Sequence, residues 1–154
     1  MDIDHLLERG AIAPRICAAD KRQAFAVIGE IAGRNYGLKP STVVNALMRR
    51  EALGSTGVGH GVATPHARLR GMDRIRGVFV RLEAPIDFGA LDEQPVDLMF
   101  ALLGPVEASA NHLQALAKVS RLLRSGELRA QVRAANGLDA IHALLVQDLR
   151  SNAA

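Results

Sequence analysis

The chain has 154 residues, the length of one ordinary domain, and 49% of them are hydrophobic, so it can bury an aliphatic core without disulfides. Its net charge is +3, but basic and acidic residues are interleaved and only 3% are aromatic, which argues against a nucleic-acid-binding protein. A single cysteine, early acidic residues and the lack of a long apolar run predict a cytoplasmic protein with no membrane insertion.

The first half of the chain is predicted to be mainly helical. Asp20 is a favourable N-cap for a helix running to about residue 36, and Gly37 is placed to end it. A second helix begins at Pro40 and ends near Arg50. Two short elements are expected before these helices: a helical lead-in over residues 3–8 and a strand over residues 15–18.

The second half begins with two β segments, at residues 78–80 and 96–103, with Pro85 in the loop between them. The second segment is a nearly continuous apolar run, as expected of a strand covered on both faces. Three helices follow: one capped by Ser109 or Asn111 with Leu113 among its inward residues, one over 127–134 and one over 138–149. This order of elements predicts one domain over residues 1–154, a three-layer α/β/α sandwich around a single sheet.

The segment 51–69 carries the most distinctive chemistry. Its glycines, at positions 54, 57, 59 and 61, allow close approach of the backbone to a ligand. We expect Thr56, Gly57 and Gly59 to provide hydroxyl and N–H donors to a concave phosphate pocket, although Thr56 could equally be an ordinary turn residue. A strand-like piece then leads to His66, which Pro65 presents rigidly. Because a neutral imidazole is a good nucleophile near pH 7, His66 is a candidate phosphoryl acceptor.

Other ligand classes fit this segment poorly. The glycine spacing imitates a P-loop, but the lysine and the Ser/Thr that hold phosphates and magnesium are missing. The third glycine of a dinucleotide fingerprint is also missing, and no histidine–carboxylate group has metal-ligand spacing. We therefore expect neither a cofactor nor a metal.

The segment resembles the phosphorylation-site motif of the mannitol/fructose-type enzyme IIA domains of the bacterial phosphoenolpyruvate-dependent phosphotransferase system. The matching residues are Glu51, Val58, Gly59, Val62, Ala63, Pro65, His66 and Ala67. Thr64 departs from the motif, because an aliphatic residue is usual there. Residues 77–82 and 94–103 resemble the nitrogen-regulatory branch of this family. The resemblance implies that the sheet is mixed.

The resemblance also implies roles for particular residues. His66 would become the phosphohistidine, bonded through its tele nitrogen, and His112 would orient it or assist; the alternative for His112 is a solvent-facing helix-cap residue. Arg50 would stabilise the phosphoryl group, or a helix dipole, or both. His60 could modulate the site, although an exposed loop residue is the simpler interpretation.

Four arginines are expected on a surface loop after His66: Arg68, Arg70, Arg74 and Arg76.

The implied function is that of a regulatory phosphocarrier. An HPr-like protein would donate the phosphoryl group, and the phosphorylation state would govern binding to regulatory targets such as potassium-transport or signalling proteins. Two alternatives stay open: a sugar-specific IIA subunit that passes phosphate to a separate IIB protein, and a binding module that uses the same fold without phosphotransfer.

Overall fold

The structure, a computed structural model, describes residues 5–107 and 109–151. Six strands form one mixed sheet and five α-helices pack against it. The strands are β1 (Ile12–Ile16), β2 (Gly57–Gly59), β3 (Val62–Ala63), β4 (His66–Leu69), β5 (Arg76–Ile86) and β6 (Val96–Pro105). The helices are α1 (Lys21–Tyr36), α2 (Pro40–Ala52), α3 (Ser109–Arg124), α4 (Gly126–Ala134) and α5 (Leu138–Ser151), and a 3-10 turn spans Arg9–Ala11.

The sheet is organised around β6. It pairs antiparallel with β5 on one side and parallel with both β3 and β4 on the other. β1 extends the sheet beyond β5 in parallel, and β2 closes the other edge antiparallel to β3. Apart from Asp97, every residue of β6 is buried, because helices cover both faces of the strand. The predicted mixed α/β/α sandwich is confirmed.

The helices form two groups. α1 and α2 contact each other, as do α3, α4 and α5 among themselves, and both groups contact the sheet. The predicted start and end of α1 are confirmed: the Asp20 side chain accepts a hydrogen bond from the Gln23 amide, and Gly37 takes a left-handed φ of 69°. The core is aliphatic and includes four phenylalanines, Phe25, Phe79, Phe88 and Phe100.

Several predicted boundaries were wrong at the edges of the sheet. β1 covers Ile12–Ile16 rather than residues 15–18, and Pro14 lies inside it. A proline is tolerated there because β1 is an edge strand of the sheet. Pro85 lies within β5 rather than in the following loop, in the stretch between Arg81 and Ile86 where the register with β6 shifts. The predicted lead-in falls partly outside the described residues, and the two leucines within it, Leu6 and Leu7, are buried.

The face of α3 also differs from the prediction. The helix already begins at Ser109, so Asn111 lies inside it rather than capping it. Leu113 is 62% exposed, whereas His112 and Ala115 point inward. The four arginines predicted on a surface loop divide between elements: Arg68 lies in β4, Arg76 in β5, and the other two in the connection between those strands.

Candidate functional site

The candidate site begins at the carboxyl end of α2. This helix ends at Ala52, and its last turn presents Arg50 and Glu51 in different directions. The Arg50 side chain is half-buried and donates from Nη1 to the Gly54 carbonyl at 2.9 Å. The Glu51 side chain is buried instead. One helical turn therefore supplies both a cation facing the site and a carboxylate facing the interior.

The glycine run folds as the β2–β3 hairpin. The Gly57 amide donates to the Ser55 hydroxyl at 3.0 Å, and the Thr56 amide donates to the Glu51 carboxylate at 3.1 Å. The residues that line the cavity beside His66 do not include Thr56, Gly57 or Gly59. The structure thus does not bring the predicted nest of N–H donors to the imidazole, because the Thr56 amide donates to Glu51 and the Gly57 amide donates to Ser55.

His66 is the first residue of β4, and it is paired with Leu102 of β6. β3 and β4 lie on the same side of β6 and are separated only by Thr64 and Pro65. The Pro65 carbonyl accepts from the Leu102 amide at 2.9 Å, so the link is anchored to the sheet as well. The imidazole is therefore carried by the sheet rather than by a loop.

Two hydrogen bonds fix the state of the His66 ring. Nδ1 lies 2.9 Å from the Thr64 carbonyl oxygen, and Nε2 lies 3.2 Å from Nε of Arg50. A carbonyl can only accept and a guanidinium can only donate, so the proton is on Nδ1 and the lone pair is on Nε2. The nitrogen that can attack an electrophile is therefore the one beside the arginine.

His112 lies on the first turns of α3, and its ring centroid is 5.6 Å from that of His66. It is only 3% exposed, and neither ring nitrogen has a hydrogen-bond partner among the residues that the structure describes. Gly104 of β6 leaves room for this ring, because a Cβ there would lie 2.8 Å from Nδ1. The alternative of a solvent-facing cap histidine does not agree with this burial.

Both imidazoles are kept neutral by their surroundings. Burial lowers the pKa of His66, the Thr64 carbonyl opposes this, and the positive charge of Arg50 lowers the pKa further. Burial, followed by the charges of His66 and Arg68, lowers the pKa of His112 to about 4. Near pH 7 the site therefore contains two neutral rings beside cationic arginines.

A cavity of about 390 Å³ opens beside these rings. Its polar lining comes from three arginines and the two histidines: Arg49, Arg50, Arg68, His66 and His112. Its apolar lining includes Leu53 and Leu113, which are 84% and 62% exposed. A basic floor with an apolar rim can hold an anionic group and contact a protein surface at the same time.

The remaining histidine of the glycine run lies apart from this cavity. His60 is exposed at the tip of the hairpin with a left-handed φ of 58°, and its amide donates to Asp92 at 3.1 Å. Across residues 5–107 and 109–151, no three histidine, cysteine or acidic residues are grouped as metal ligands. No helix in the same residues is long and apolar enough to cross a membrane.

Comparison with known proteins identifies the family. A family model described as the phosphoenolpyruvate-dependent sugar phosphotransferase system, EIIA 2, matches residues 5–148. The chain belongs to this EIIA family. It is 42% identical over 145 residues to a nitrogen regulatory protein of Bradyrhizobium diazoefficiens, which covers 94% of this chain and 95% of that protein.

Two further relatives agree with this assignment. A nitrogen regulatory protein of Escherichia coli is 37% identical over 147 residues, covering 94% of this EIIA chain and 90% of that protein. The crystal structure of the nitrogen regulatory protein IIA-Ntr from Neisseria meningitidis has a TM-score of 0.88 and 33% identity, covering 93% of this chain and 98% of that one. The predicted resemblance to the nitrogen-regulatory branch is confirmed.

The sequence singled out His66, His112 and Arg50, and the structure brings these three side chains together around one cavity. It gave Glu51 no role beyond matching the motif, and it missed Lys21, whose ammonium group contacts Glu51 at 3.0 Å. A signal for Glu51 was present, since an acidic residue directly after Arg50 cannot point in the same direction on a helix. No local signal marked Lys21, because its contact depends on how α1 docks on α2.

Proposed function

We propose that this EIIA protein is a cytoplasmic histidine phosphocarrier of the nitrogen-regulatory kind, with Nε2 of His66 as the phosphoryl acceptor. The observation that carries the proposal is the pair of hydrogen bonds on the ring. The Thr64 carbonyl holds the proton on Nδ1, so the Nε2 lone pair faces the basic cavity. A nucleophile fixed in this way needs no general base, because the imidazole is already neutral.

The phosphoryl-transfer step requires neither a proton transfer nor a metal ion. The Nε2 lone pair of His66 forms the new N–P bond while the N–P bond to the histidine of an HPr-like donor breaks. The bonding electrons leave with the donor imidazole, and the proton on Nδ1 of His66 remains in place. The Thr64 carbonyl then stabilises the N–H of the phosphorylated ring.

Arg50 and His112 assist this transfer without acting as nucleophiles. Arg50 lies at the attacking nitrogen, 3.2 Å away, and its guanidinium can move onto the phosphoryl oxygens when the N–P bond forms. Neither ring nitrogen of His112 has a partner among the described residues, so the one that carries the proton is available to donate to the same group. The arrangement thus supplies cations and donors where negative charge develops.

The phosphorylated and free forms would bind regulatory proteins, such as potassium-transport or signalling proteins, with different affinity. A phosphoryl group brings close to two negative charges to a cavity that is otherwise basic. We expect amide chemical-shift changes on phosphorylation to stay near residues 50–76 and 109–116. Widespread changes that reach α5 would instead indicate a global conformational switch.

A direct test is phosphorylation in vitro. The protein is incubated with phosphoenolpyruvate, enzyme I and an HPr-like protein, and the acid-labile phosphate is mapped. His66→Ala should abolish labelling, whereas His60→Ala, a matched change of an exposed histidine outside the cavity, should leave it unchanged. Undiminished labelling of His66→Ala would overturn the proposal, and a wild-type protein that no donor labels would favour a binding module.

A sugar-specific IIA subunit can be distinguished from a regulatory phosphocarrier by whether it passes its phosphoryl group to a IIB protein. The phosphorylated protein is mixed with IIB proteins of the mannitol and fructose systems, and transfer of the label is followed over time. A regulatory phosphocarrier should retain its label, whereas a sugar-specific IIA subunit should pass it on rapidly. The genes beside this one provide a second check: a nitrogen sigma factor and an HPr-like gene, or an IIB/IIC permease.

A further inference from the structure

A buried carboxylate lies directly behind the candidate site. The Glu51 side chain is 3% exposed, and it accepts hydrogen bonds from Nζ of Lys21 at 3.0 Å and from the Thr56 amide at 3.1 Å. Its second oxygen accepts from the Thr56 hydroxyl. We call these three residues the Glu51 clasp. It joins the beginning of α1, the end of α2 and the beginning of the β2–β3 hairpin.

The clasp is connected to His66 through the backbone. The Thr56 carbonyl accepts from the Thr64 amide at 3.0 Å, and the Thr64 carbonyl in turn accepts from Nδ1 of His66 at 2.9 Å. The amide and the carbonyl of Thr64 are therefore both engaged. The position of Thr56 therefore sets the position of Thr64, and the Thr64 carbonyl sets the tautomer of the His66 imidazole.

The clasp also controls the other partner of the ring. Arg50 directly precedes Glu51 on the last turn of α2, so an anchored carboxylate holds this turn against the hairpin. The contact of 3.2 Å between Nε of Arg50 and Nε2 of His66 joins the same turn of α2 to β4, which follows the hairpin after Thr64 and Pro65. Both hydrogen bonds of the imidazole thus depend on one buried junction.

From this connectivity we propose that Glu51 is a positioning residue, and that the Glu51 clasp holds His66 in its Nδ1–H tautomer and Arg50 at Nε2. The inference rests on the proposed function, since it concerns the same imidazole. A buried carboxylate needs its donors, and removing one of them leaves a polar group unpaired in the interior. The clasp therefore resists the small displacements that would misalign the nucleophile.

A purely structural role for the clasp predicts a different result. In that case the clasp would only tie α1 to α2, and its loss would lower the melting temperature without changing the state of the His66 ring. The two roles are separated by the imidazole ¹⁵N chemical shifts of the unphosphorylated protein, because these shifts report which nitrogen carries the proton. Phosphorylation rates give a second, independent readout.

The variants are Thr56→Val, which removes the hydroxyl at similar shape, and Thr56→Ser, which retains it. Glu51→Ala removes the carboxylate. The matched control is Leu145→Ala, a buried change in α5 that lowers stability away from the clasp. We expect the valine and Glu51→Ala variants to shift His66 towards the Nε2–H tautomer and to slow phosphorylation on the order of tenfold. Thr56→Ser and Leu145→Ala should retain the wild-type tautomer and a rate within about twofold of wild type.

If Thr56→Val and Thr56→Ser have the same His66 shifts as the wild type, the inference is overturned. If Glu51→Ala does not fold, the valine and serine variants still decide the question. A change of tautomer in Leu145→Ala equal to that in Thr56→Val would also overturn it, because general destabilisation would then suffice. Failure of the proposed function is distinguishable, since no donor would label even the wild type while the nitrogen shifts would still report on the clasp.

Discussion

The rings of His66 and His112 lie 5.6 Å apart at an interplanar angle of 56°. Only the first has hydrogen bonds on both nitrogens; the second is buried with neither nitrogen partnered in the described part of the chain. A buried ring without partners is costly. It can recover that cost only when another group enters the space beside it, and the cavity that both histidines line provides that space.

The buried His112 should make the free energy of unfolding depend on pH. Its folded-state pKa of about 4 lies below the ordinary value of 6.5, so the unfolded state binds more protons between these limits. Stability is then fully present above pH 6.5 and is lost as the pH falls towards 4, by up to roughly 3 kcal/mol. Urea unfolding of wild type and His112→Gln at pH 7.5 and 5 measures this: the wild type should lose more stability than the variant. Equal losses would contradict the assigned burial.

The rate of phosphorylation should depend on pH through His66. Burial and the charge of Arg50 lower the pKa of this ring, so the reactive neutral form persists below pH 6.5. We expect the phosphorylation rate to stay constant as the pH is lowered from 8 to 6.5, and to fall only below pH 6.5. In Arg50→Ala the midpoint should move upward, because one of the groups that lowers the pKa is gone. A midpoint above 7 in the wild type would show that the ring is not in this environment.

Removing the guanidinium should slow transfer much more than it affects stability. Arg50→Ala should lose on the order of a hundredfold in the rate of phosphorylation, as when one donor to a developing charge is deleted. Arg50→Lys should recover only part of this rate, because an ammonium group lacks the planar pair of donors. Arg22→Ala, at an exposed position on α1, serves as the control and should retain the wild-type rate. A wild-type rate in Arg50→Ala would mean that the cation acts elsewhere.

Gly104 should be intolerant of a side chain. A Cβ at this position would lie 2.8 Å from Nδ1 of His112 and 3.2 Å from the side chain of Ile75, so Gly104→Ala must displace the histidine. We expect slower phosphorylation and a loss of about 1–3 kcal/mol in the free energy of unfolding. Gly126→Ala is the matched control: the nearest atom to its Cβ would be Nη2 of Arg129 at 3.4 Å, an ordinary van der Waals distance, and alanine favours the helix. Similar stability changes in both variants would contradict this account of the β6–α3 contact.

Features determined by local chemistry could be predicted from the sequence. The N-cap at Asp20 and the left-handed Gly37 fix α1 within a residue, and the apolar run of β6 indicates a strand buried on both faces. His66 could be named because it follows a rigid proline and a distinctive glycine pattern, whereas Arg50 and His112 were named mainly through the resemblance to enzyme IIA domains. Their roles in phosphotransfer stay predictions.

Features determined by tertiary contacts could not be predicted in the same way. The glycine run is compatible with a nest and with a hairpin, and the choice depends on the buried carboxylate of Glu51 and on pairing with β6. The extent of β1 could not be predicted because Pro14 argues against a strand. Whether a strand tolerates this proline depends on its place at the edge of the sheet, which local sequence does not reveal. The burial of His112 depends on where α3 begins, which a run of helix-compatible residues does not specify.

The position of β4 in the sheet has a consequence for synthesis of the chain. His66 precedes β5 and β6, yet its strand pairs with β6, whose partner residues for β4 begin at Leu102. On the ribosome, β4 therefore waits until β6 has emerged, while β5 and β6 can pair as neighbours along the chain. We expect pulsed hydrogen exchange during refolding to protect the amides of β5 before those of β4. The reactive histidine would then be among the last parts of the sheet to become ordered. A chain truncated before β6 should therefore expose an imidazole that cannot yet be phosphorylated.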